Sequence, residues 1–488
     1  MRIIIVGAGL VGTQLSCSLI EEKHDVSLIE SHEERARHVS NRLDCLVVHD
    51  EGNSLSALAD AGIAKADALV CVTGSDEVNM LICGLAASRY PNLLKIARVR
   101  NDEYIRLNRS GERILGIDRF VHPDVEAARS ALNAIEHGAI GDILAFANTA
   151  YQLGSIDIAP GSAFDGLSLT HFRSLIPGES LVTLLERHGE SILPSGVTVL
   201  GKGDRIHVLA KERELHEAFT CAGRSEESLR KIGIVGGGRV GTLIAEGLLY
   251  PQQDRSRKAG LAPESSALDP GKSKKGRSFF SFLKRLLPAR MRRVIIIEQD
   301  YGLCKELAAR FPEALILNED ISDESFVAEE RISDLDLIVT ATGHQELNII
   351  TALYLKSRGV RRAVALVSGA GYGTIARQLG VDVVIPMKSV VVDSIFSHLM
   401  GPGVKGIHRI GDGNIGIIEL EIERGAPLAD KPITLFRLSA GGLLLLVNRG
   451  GNSFIPKGDY HFQVGDHIIL IAKNGSEKEI EKLFGTPV

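Results

Sequence analysis

The chain contains one sequence pattern twice, and this duplication constrains its fold more than any other feature. Residues 3–12 read IIIVGAGLVG and residues 232–241 read IGIVGGGRVG, so each is an apolar segment that runs into G-x-G-x-x-G. LVCVTGSDEVN (69–79) and LIVTATGHQELN (337–348) share Thr-Gly and Glu-x-Asn. Glu30 precedes Thr73 by 43 residues and Glu298 precedes Thr342 by 44. Matching spacings indicate an internal repeat, which must be recognised before any fold is assigned.

A second, smaller repeat follows each of these segments. ILPSGVTVLGKGDRIHVLA (192–210) matches FIPKGDYHFQVGDHIILIA (454–472), and each copy has a proline ten residues before an aspartate. Alternating strands, glycine turns and short helical tails at 211–219 and 476–484 predict small α+β domains. We therefore expect four domains, at 1–124, 140–222, 229–390 and 404–487, with an insertion at 251–293 in the third.

The larger segments alternate apolar strands with helices. In the first copy, helical patterns cover 10–22 and 77–90, and strand-like runs cover 2–6, 25–30, 45–48, 67–72, 94–99 and 118–121. Nearly continuous apolar strands separated by helices predict a parallel, doubly wound sheet. The expected fold class is α/β, with two Rossmann-like domains that are each followed by a small α+β domain.

The glycine motif gives each large domain a mechanism for binding a nucleotide. Gly7 permits a tight turn, Gly9 allows the backbone to approach a pyrophosphate, and Gly12 allows close packing of helix and strand. Glu30, at the end of the second strand, is placed to accept hydrogen bonds from ribose hydroxyls, which favours NAD(H) or an adenine nucleotide over NADP(H). Thr73-Gly74-Ser75 ends the fourth strand at the edge where ligands bind, although an ordinary turn is the alternative.

Composition excludes several classes of function. A net charge of −5 and an aromatic content of 5% give no reason to expect nucleic acid as a partner. The six cysteines are scattered and are expected to be reduced, mostly buried thiols of a cytosolic protein. No apolar run reaches the ~18–20 residues that span a bilayer, and glycines interrupt the apolar N-terminus, so a buried first strand is expected instead of a signal peptide.

Few residues are candidates for an enzymatic function. A dehydrogenase needs a proton donor or acceptor beside the hydride carbon, and the small domains contain no evident His/Asp/Glu constellation. His122 is a candidate base, but a surface or structural role in a strand-exit turn is favoured. An NAD-dependent oxidoreductase with a duplicated Rossmann core is the alternative; a redox-sensing transcription factor is disfavoured because no helix-turn-helix is evident.

The first large domain contains the motifs GAGLVG, VSLIE, Gly52-Asn53, VTGSDEVN and IARVRNDEY; a small α+β domain follows, and the arrangement is then repeated. This combination resembles the RCK (or KTN) family of regulatory subunits of Trk-type bacterial potassium uptake systems. The resemblance implies a non-enzymatic homo-oligomer, dimeric or tetrameric, on the inner face of the cell membrane. It also implies a TrkH- or TrkG-like channel subunit as partner, and NAD(H) competing with ATP or ADP for the Rossmann cleft.

The resemblance also implies which residues bind the nucleotide. In the first copy these are Gly7, Ala8, Gly9, Leu10, Val11 and Gly12 at the pyrophosphate, Glu30 at the ribose, Gly52, Asn53, Thr73, Gly74 and Ser75 along the cleft, and Arg98 and Arg100 at a phosphate. In the second copy they are Gly236, Gly237, Gly238, Arg239, Val240, Glu298, Thr342 and Gly343.

The second copy departs from this pattern at four positions. Leu366 and Ser368 replace the two arginines, and His344-Gln345 replaces Ser75-Asp76. The hypothesis is that the first copy is the main sensor and the second is weaker or structural.

The insertion at 251–293 is strongly basic, with 12 Lys/Arg against three acids. Its first half is predicted to be disordered, and 277–293 combines Phe and Leu with basic residues. A short amphipathic helix on anionic lipid is one interpretation, and a solvated loop that packs on its own domain is the other.

Overall fold

Four sheets form the framework of the chain in the computed structural model. The described residues are 1–21, 23–101, 103–104, 114–136, 138–139, 143–146, 149–176, 178–188, 190–223, 229–250, 292–399, 404–410, 415–438, 441–473 and 476–484. They divide into two compact units: one holds 1–126, 140–226 and 386–488, and the other holds 127–139 and 227–385. The proposed helix within 277–293 lies outside the described residues, apart from Arg292 and Arg293.

The first domain is a six-stranded sheet in the order β3-β2-β1-β4-β5-β6, and its paired strands are parallel. Its strands are β1 Arg2–Val6, β2 Asp25–Glu30, β3 Leu46–His49, β4 Ala68–Cys71, β5 Leu94–Arg98 and β6 Arg119–Val121. Its helices are α1 Leu10–Glu21, α2 Glu33–Ser40, α3 Leu55–Asp60 and α4 Asp76–Arg89, and α5 Pro123–Glu136 follows. The buried apolar faces of β1 and β4 explain why their sequences are continuously apolar. The predicted doubly wound sheet is confirmed.

The first C-terminal domain is an antiparallel sheet in the order β10-β9-β11-β8-β7. Its elements are β7 Ile143–Ala145, β8 Tyr151–Asp157, α6 Leu169–Leu175, β9 Ser180–Arg187, β10 Glu190–Ile192, β11 Arg205–Lys211 and α7 Glu212–Cys221. One sheet face packs on α6 and α7, through Phe172 and Phe219 among others.

The second Rossmann sheet has the same strand order as the first, β14-β13-β12-β15-β16-β17. Its elements are β12 Lys231–Val235, α8 Arg239–Leu249, β13 Arg293–Glu298, α9 Tyr301–Arg310, β14 Leu315–Asn318, α10 Glu324–Glu329, β15 Leu337–Thr340, α11 Gln345–Ser357, β16 Arg362–Val367, α12 Ala370–Gln378 and β17 Val383–Pro386. The final domain repeats the antiparallel sheet, in the order β18-β19-β22-β20-β21. Its elements are α13 Met387–Leu399, which precedes the sheet, β18 Val404–Ile410, β19 Ile415–Glu421, β20 Gly442–Arg449, β21 Asn452–Phe454, β22 His467–Lys473 and α14 Glu477–Phe484.

Two helices pack away from the Rossmann sheet that precedes them in sequence. Helix α13 follows the second Rossmann sheet, yet its Val392 and Ile395 share a core with Ile3 and Leu15 of the first. Gln14 of α1 also donates a hydrogen bond to Ser389 of α13 at 3.3 Å. Conversely, α5 follows the first sheet, but its residues from Ala127 onward belong to the second unit.

The C-terminal part of α5 contacts other residues of the second unit. Leu132 packs directly against Gly247 of α8, where a Cβ would overlap the leucine. Arg362 of β16 donates a hydrogen bond to the Gly138 carbonyl oxygen, just after α5. The helices α5 and α13 are therefore exchanged between the two Rossmann sheets.

The sheets of the two C-terminal domains share a further core. Leu153 and Leu184 of the first domain cluster with Ile417, Leu445 and Ile471 of the second. These residues lie on the faces opposite those that pack on each domain's own helices.

The aspartate of each proline–aspartate pair in the small domains forms a repeated ion pair. Arg187 donates from Nε to Asp204 at 2.8 Å, and Arg449 donates to Asp466 at 2.7 Å. Burial alone would raise the pKa of each carboxyl group, but hydrogen bonds from the guanidinium and from backbone N–H groups hold the pKa of both aspartates below its usual value. The aspartate therefore anchors the turn before the last strand in each copy.

The Rossmann domains anchor their fifth strands with a second type of ion pair. Lys95 of β5 is only 1% exposed, and its Nζ lies 3.3 Å from Asp118 and 2.5 Å from the Leu93 carbonyl oxygen. In the second copy the cation comes from a helix instead: Lys356 of α11 lies 2.6 Å from Asp382 and is 25% exposed. Both aspartates also accept a hydrogen bond from the backbone of the fifth strand, at Lys95 and Ala363.

No helix in the described ranges is both long enough and apolar enough to cross a membrane.

Candidate functional site

The candidate site lies at the carboxyl ends of β1 and β4, where the strand order of the first sheet reverses. Open α/β sheets bind ligands at this crevice. Gly7 leaves β1 with a φ of +104°, a conformation that favours glycine, and its N–H donates to the Ile29 carbonyl oxygen at 2.8 Å. A Cβ on Gly7 would lie 3.0 Å from the Thr73 nitrogen. The glycine loop therefore lies directly against the turn that follows β4.

The other two motif glycines have opposite surroundings. A Cβ on Gly12 would overlap the Gly7 carbonyl oxygen, because α1 packs tightly against the loop. A Cβ on Gly9 would have no heavy atom within 4 Å, and the same holds for Gly74 after β4. Gly12 is thus needed for packing within the protein, whereas Gly9 and Gly74 leave open space at the edge of the sheet.

Glu30 fixes the glycine loop to the end of β2. The residue is 4% exposed, and its two carboxylate oxygens accept hydrogen bonds from the Ala8 N–H at 2.7 Å and the His32 N–H at 2.9 Å. Arg35 approaches the same carboxylate at 3.9 Å. Replacing Glu30 would therefore disturb the loop as well as any ribose that it contacts.

Arg98 closes the cleft from the end of β5. Its Nη2 donates to the Thr73 carbonyl oxygen at 2.7 Å, and the residue is 9% exposed. Its buried Nε finds no acceptor within the described residues. Burial, and then the charge of Arg100, lower the pKa of Arg98. A buried guanidinium with an unused N–H is suited to binding an anion.

The remaining predicted residues of the first copy differ in placement. Val11 is buried in the core, and Gly52 packs so closely on Val6 that an added Cβ would overlap its side chain. Leu10 is 70% exposed, and Asn53 and Arg100 are also exposed. Ser75 caps α4 by accepting from the Val78 N–H at 3.2 Å. The glycine loop, Glu30, Thr73 and Arg98 form one connected group.

The second copy repeats the backbone of this group. Gly236 has a φ of +101° and donates to the Ile297 carbonyl oxygen, and Gly237 donates to Glu298 at 2.7 Å. Gly238 and Gly343 have open surroundings like Gly9 and Gly74. Arg239 is exposed, and Val240 is buried like Val11.

Side-chain sizes, by contrast, differ between the copies beside the glycine loop. A Cβ on Gly237 would overlap Leu307, whereas Ala8 occupies this position in the first copy and packs beside the smaller Val39. Leu366, which stands in place of Arg98, is 3% exposed and supplies no charge.

Sequence reasoning missed two pairs of residues that shape the clefts. Thr13 and Thr242, one residue after the last motif glycine, donate to the Ala8 and Gly237 carbonyl oxygens at 3.0 and 2.9 Å. Asn79 and Asn348 bind the turns after β4 and β15. The signal was present, because each residue recurs at the same place in both copies.

Of the two roles favoured for His122, burial excludes the surface role and agrees with the structural one. His122 is 5% exposed at the end of β6, and its ring accepts a hydrogen bond from the Val125 N–H at 3.4 Å in the first turn of α5.

Three cysteines are buried (Cys71, Cys83 and Cys304) and the others are half-buried, so the prediction of mostly buried thiols holds for half of them. The described residues contain no cluster of metal ligands.

The expectation that the small domains lack a polar constellation is wrong. Ser155 and His207 lie 3.0 Å apart, and His207 lies 2.5 Å from Glu186, although these residues are far apart in sequence. Sheet pairing of β8, β9 and β11 brings them together, which spacing alone does not reveal. Ser155 and His207 are 7% and 3% exposed, so the serine hydroxyl is not accessible as a nucleophile.

The fold and the cleft define a class of protein: two Rossmann domains in tandem, each followed by a small α+β domain. Family models agree with this organisation. The TrkA-N domain matches residues 3–123 and 275–386, and the TrkA-C domain matches 153–220 and 417–485. The chain belongs to the TrkA family of Trk-system potassium uptake proteins.

Curated relatives match along the whole chain. The Trk system potassium uptake protein TrkA of Haemophilus influenzae is 26% identical over 491 residues, covering 99% of this chain and 98% of the relative. The TrkA of Halomonas elongata is also 26% identical, with the same coverage. The expectation that the chain is not an enzyme is confirmed by these relatives.

Solved structures show the same fold. The GsuK channel bound to NAD has a TM-score of 0.53 and 17% identity, covering 99% of this chain and 79% of that one. The GsuK RCK domain has a TM-score of 0.53 and 18% identity, covering 99% and 95%.

Proposed function

We propose that this protein is the nucleotide-sensing regulatory subunit of a Trk-type potassium uptake system. It resides in the cytoplasm on the inner face of the cell membrane and gates a TrkH- or TrkG-like channel subunit. The observation that carries the proposal is the cleft at the carboxyl ends of β1, β4 and β5, where Gly9 and Gly74 leave open space and the buried guanidinium of Arg98 binds the Thr73 carbonyl oxygen. The names of the curated relatives supply the potassium system.

The ligands are NAD(H) and the competing nucleotides ATP and ADP. The free N–H groups at the start of α1 and the open position of Gly9 suit a pyrophosphate. Glu30 is available to a ribose hydroxyl through its remaining lone pairs, and its negative charge disfavours a 2′-phosphate. The unused Nε of Arg98 is a donor for a phosphate oxygen. One fold neighbour, the GsuK channel, has been solved with NAD.

The two copies have unequal roles in this proposal. Both provide the glycine loop, the acid and the Thr-Gly turn: Gly7–Gly12, Glu30 and Thr73-Gly74 in the first copy, and Gly236–Val240, Glu298 and Thr342-Gly343 in the second. Only the first adds Arg98 and Arg100, which bind phosphate. Its cleft is also lined by Gly52, Asn53 and Ser75. The first site is therefore the main sensor.

Signal transfer follows from packing around α1. This helix starts at the glycine loop and contacts α13, which connects directly to the last strand of the second Rossmann sheet. A ligand that prefers one arrangement of α1 and α13 shifts the population toward that arrangement, and the channel responds.

The protein acts as a homo-oligomer, either a dimer or a tetramer. Large apolar side chains are exposed on helices beside the clefts of both units, namely Leu81 of α4, Ile350 of α11 and Ile375 of α12. Covering such side chains favours association. Light scattering of the purified protein measures the size of the assembly.

Replacing Arg98 with leucine tests the ligand proposal. Leucine is the residue that the second copy carries at this place, so the fold should accept it. Because a hydrogen bond to a charged group contributes about 1.5–3 kcal/mol, we expect nucleotide affinity to fall at least about tenfold. Isothermal titration with NADH, NAD, ATP and ADP measures this, with NADH absorbance followed to verify that none is consumed.

Arg119→Leu is the matched control for this experiment. Arg119 is an exposed arginine at the opposite, amino end of the same sheet, and its loss removes the same charge. Its affinities should equal those of the wild type. Failure of all four nucleotides to bind the wild type would overturn the proposed function.

The basic insertion adds a membrane contact to the proposal. Residues 251–293 carry 12 cationic and three acidic side chains, which an anionic lipid surface would attract. We expect anionic vesicles to co-sediment the intact protein at low salt but not a variant that lacks 251–291 and keeps strand β13 whole, and binding to fade at high salt. Equal sedimentation of both proteins would contradict this contact.

A further inference from the structure

Two buried asparagines occupy equivalent positions in the two Rossmann domains. Asn79 lies in the first turn of α4 and is 0% exposed, and Asn348 lies in the first turn of α11 and is 2% exposed. An asparagine side chain offers two acceptor and two donor positions. Each unmet position would destabilise the folded state at such a site, so the contacts of these residues define their role.

Asn79 uses all four positions. Its Oδ1 accepts from the Thr73 N–H at 2.9 Å and from the Thr73 hydroxyl at 2.7 Å. Its Nδ2 donates to the carbonyl oxygens of Thr73 at 3.3 Å and of Arg98 at 2.8 Å. One side chain therefore joins the turn after β4 to the end of β5.

Asn348 repeats this pattern almost without change. It accepts from the Thr342 N–H at 2.9 Å and from the Thr342 hydroxyl at 2.6 Å. It donates to the carbonyl oxygens of Thr342 at 3.2 Å and of Leu366 at 2.9 Å.

The neighbouring side chains, by contrast, differ between the copies. Leu366 replaces Arg98, and Ser368 replaces Arg100. Gln345 replaces Asp76 and keeps its backbone contact. Asp76 accepts from the Arg100 N–H at 2.7 Å, and Gln345 accepts from the Ser368 N–H at 3.0 Å. The charged groups have changed while the position of the turn has been kept. The asparagine thus controls the backbone shape of the cleft and not its charge.

In the first copy this shape also determines where Arg98 lies. The Thr73 carbonyl oxygen accepts from Asn79 and, at 2.7 Å, from Nη2 of Arg98. The asparagine thus holds the backbone of Arg98 directly and its guanidinium through Thr73. In the second copy the equivalent network holds the backbone of Leu366, whose apolar side chain supplies no cation.

We propose that Asn79 is a positioning residue for the nucleotide site, which holds the Thr73-Gly74 turn and Arg98 together as one preformed wall of the cleft. This inference rests on the proposed function, since it specifies how that site is organised. Prepositioned donors bind a ligand more tightly because they lose less freedom on binding. Asn79 itself contacts no ligand.

The test compares Asn79→Asp with Asn348→Asp in the full-length chain. Each substitution keeps the shape and one acceptor oxygen, removes the two Nδ2 donor bonds and places a carboxylate oxygen beside two carbonyl oxygens. The two domains therefore lose equivalent bonds and gain the same charge. We expect similar decreases in the thermal midpoint of the affected domain. Affinity for NADH and ATP, however, should fall about tenfold or more for Asn79→Asp and stay within about twofold of the wild type for Asn348→Asp.

A double variant adds a readout that a purely structural role would not change. Because Asn79 acts on the ligand through Arg98, Asn79→Asp should weaken binding much less in an Arg98→Leu background than in the wild type. Full additivity of the two effects on affinity would overturn the proposal, as would equal loss of affinity in Asn79→Asp and Asn348→Asp.

A second pair of variants, with smaller changes, tests the proposal if the aspartate variants do not fold. Thr73→Val and Thr342→Val each remove one hydroxyl donor to the asparagine. Weaker NADH binding for Thr73→Val alone supports the proposal if the weakening disappears in an Arg98→Leu background. Weakening that persists in that background, or unchanged binding for both variants, overturns it. If wild-type protein binds no nucleotide, the proposed function fails along with this inference; if wild type binds and Asn79→Asp binds equally well, only the inference fails.

Discussion

Gly12→Ala is expected to abolish nucleotide binding and to destabilise the first Rossmann domain. The new Cβ would overlap the Gly7 carbonyl oxygen, which is backbone and has no flexible end that can move away. Relief requires α1 to shift away from the glycine loop, and overpacking of this kind costs about 1–3 kcal/mol or more. Calorimetric unfolding and NADH titration measure the two effects.

Gly9→Ala is the matched comparison, because it adds the same methyl group at another glycine of the same loop. No protein atom lies within 4 Å of that methyl group, so the unfolding temperature should remain close to that of the wild type. Nucleotide affinity should still fall, because the methyl group occupies the space through which the backbone would approach the pyrophosphate. Unchanged affinity in Gly9→Ala would show that the ligand does not approach this glycine.

Asp118→Ala is expected to destabilise the first Rossmann domain by about 3–5 kcal/mol, since it leaves a buried cation without its carboxylate. Lys95 is only 1% exposed and would keep only backbone carbonyl oxygens as partners among its described contacts. Hydrogen–deuterium exchange of β5, followed by mass spectrometry, reports the free energy of opening in this domain alone.

Asp382→Ala in the second domain is the control for this substitution. Asp382 accepts one backbone N–H and one lysine just as Asp118 does, but Lys356 is 25% exposed and can regain water. The loss of protection in β16 should therefore be clearly smaller than the loss in β5. Equal losses in the two domains would show that burial of the lysine does not determine the effect.

Much of the fold can be predicted from the sequence because the signals are local. Continuous apolar strands such as β1 and β4, the glycine loops and the repeated spacings each indicate an element or an equivalence directly. Spacing alone predicts that Leu366 replaces Arg98. The structure confirms this equivalence, because Asn79 donates to the Arg98 carbonyl oxygen and Asn348 donates to the Leu366 carbonyl oxygen.

Features that depend on long-range packing cannot be predicted in this way. Periodicity shows that 387–399 can form a helix with an apolar face, but not which sheet that face covers. The contact of His207 with Ser155 and Glu186 depends on sheet register, and the burial of Lys95 depends on a carboxylate 23 residues away. Asn79 lies within the VTGSDEVN motif, yet its role becomes evident only once β4 and β5 are known to be neighbours.

The exchange of α5 and α13 has a consequence for the origin of the chain. A half-length ancestor would have contained one Rossmann sheet, one such helix and one small domain. Because the helix packs on the sheet of the other copy, Ile3 and Leu15 in that ancestor would have been covered only by a second polypeptide. Duplication of such a half-length chain would join an intertwined homodimer into a single polypeptide, whose two halves could then diverge separately at positions such as Arg98 and Leu366.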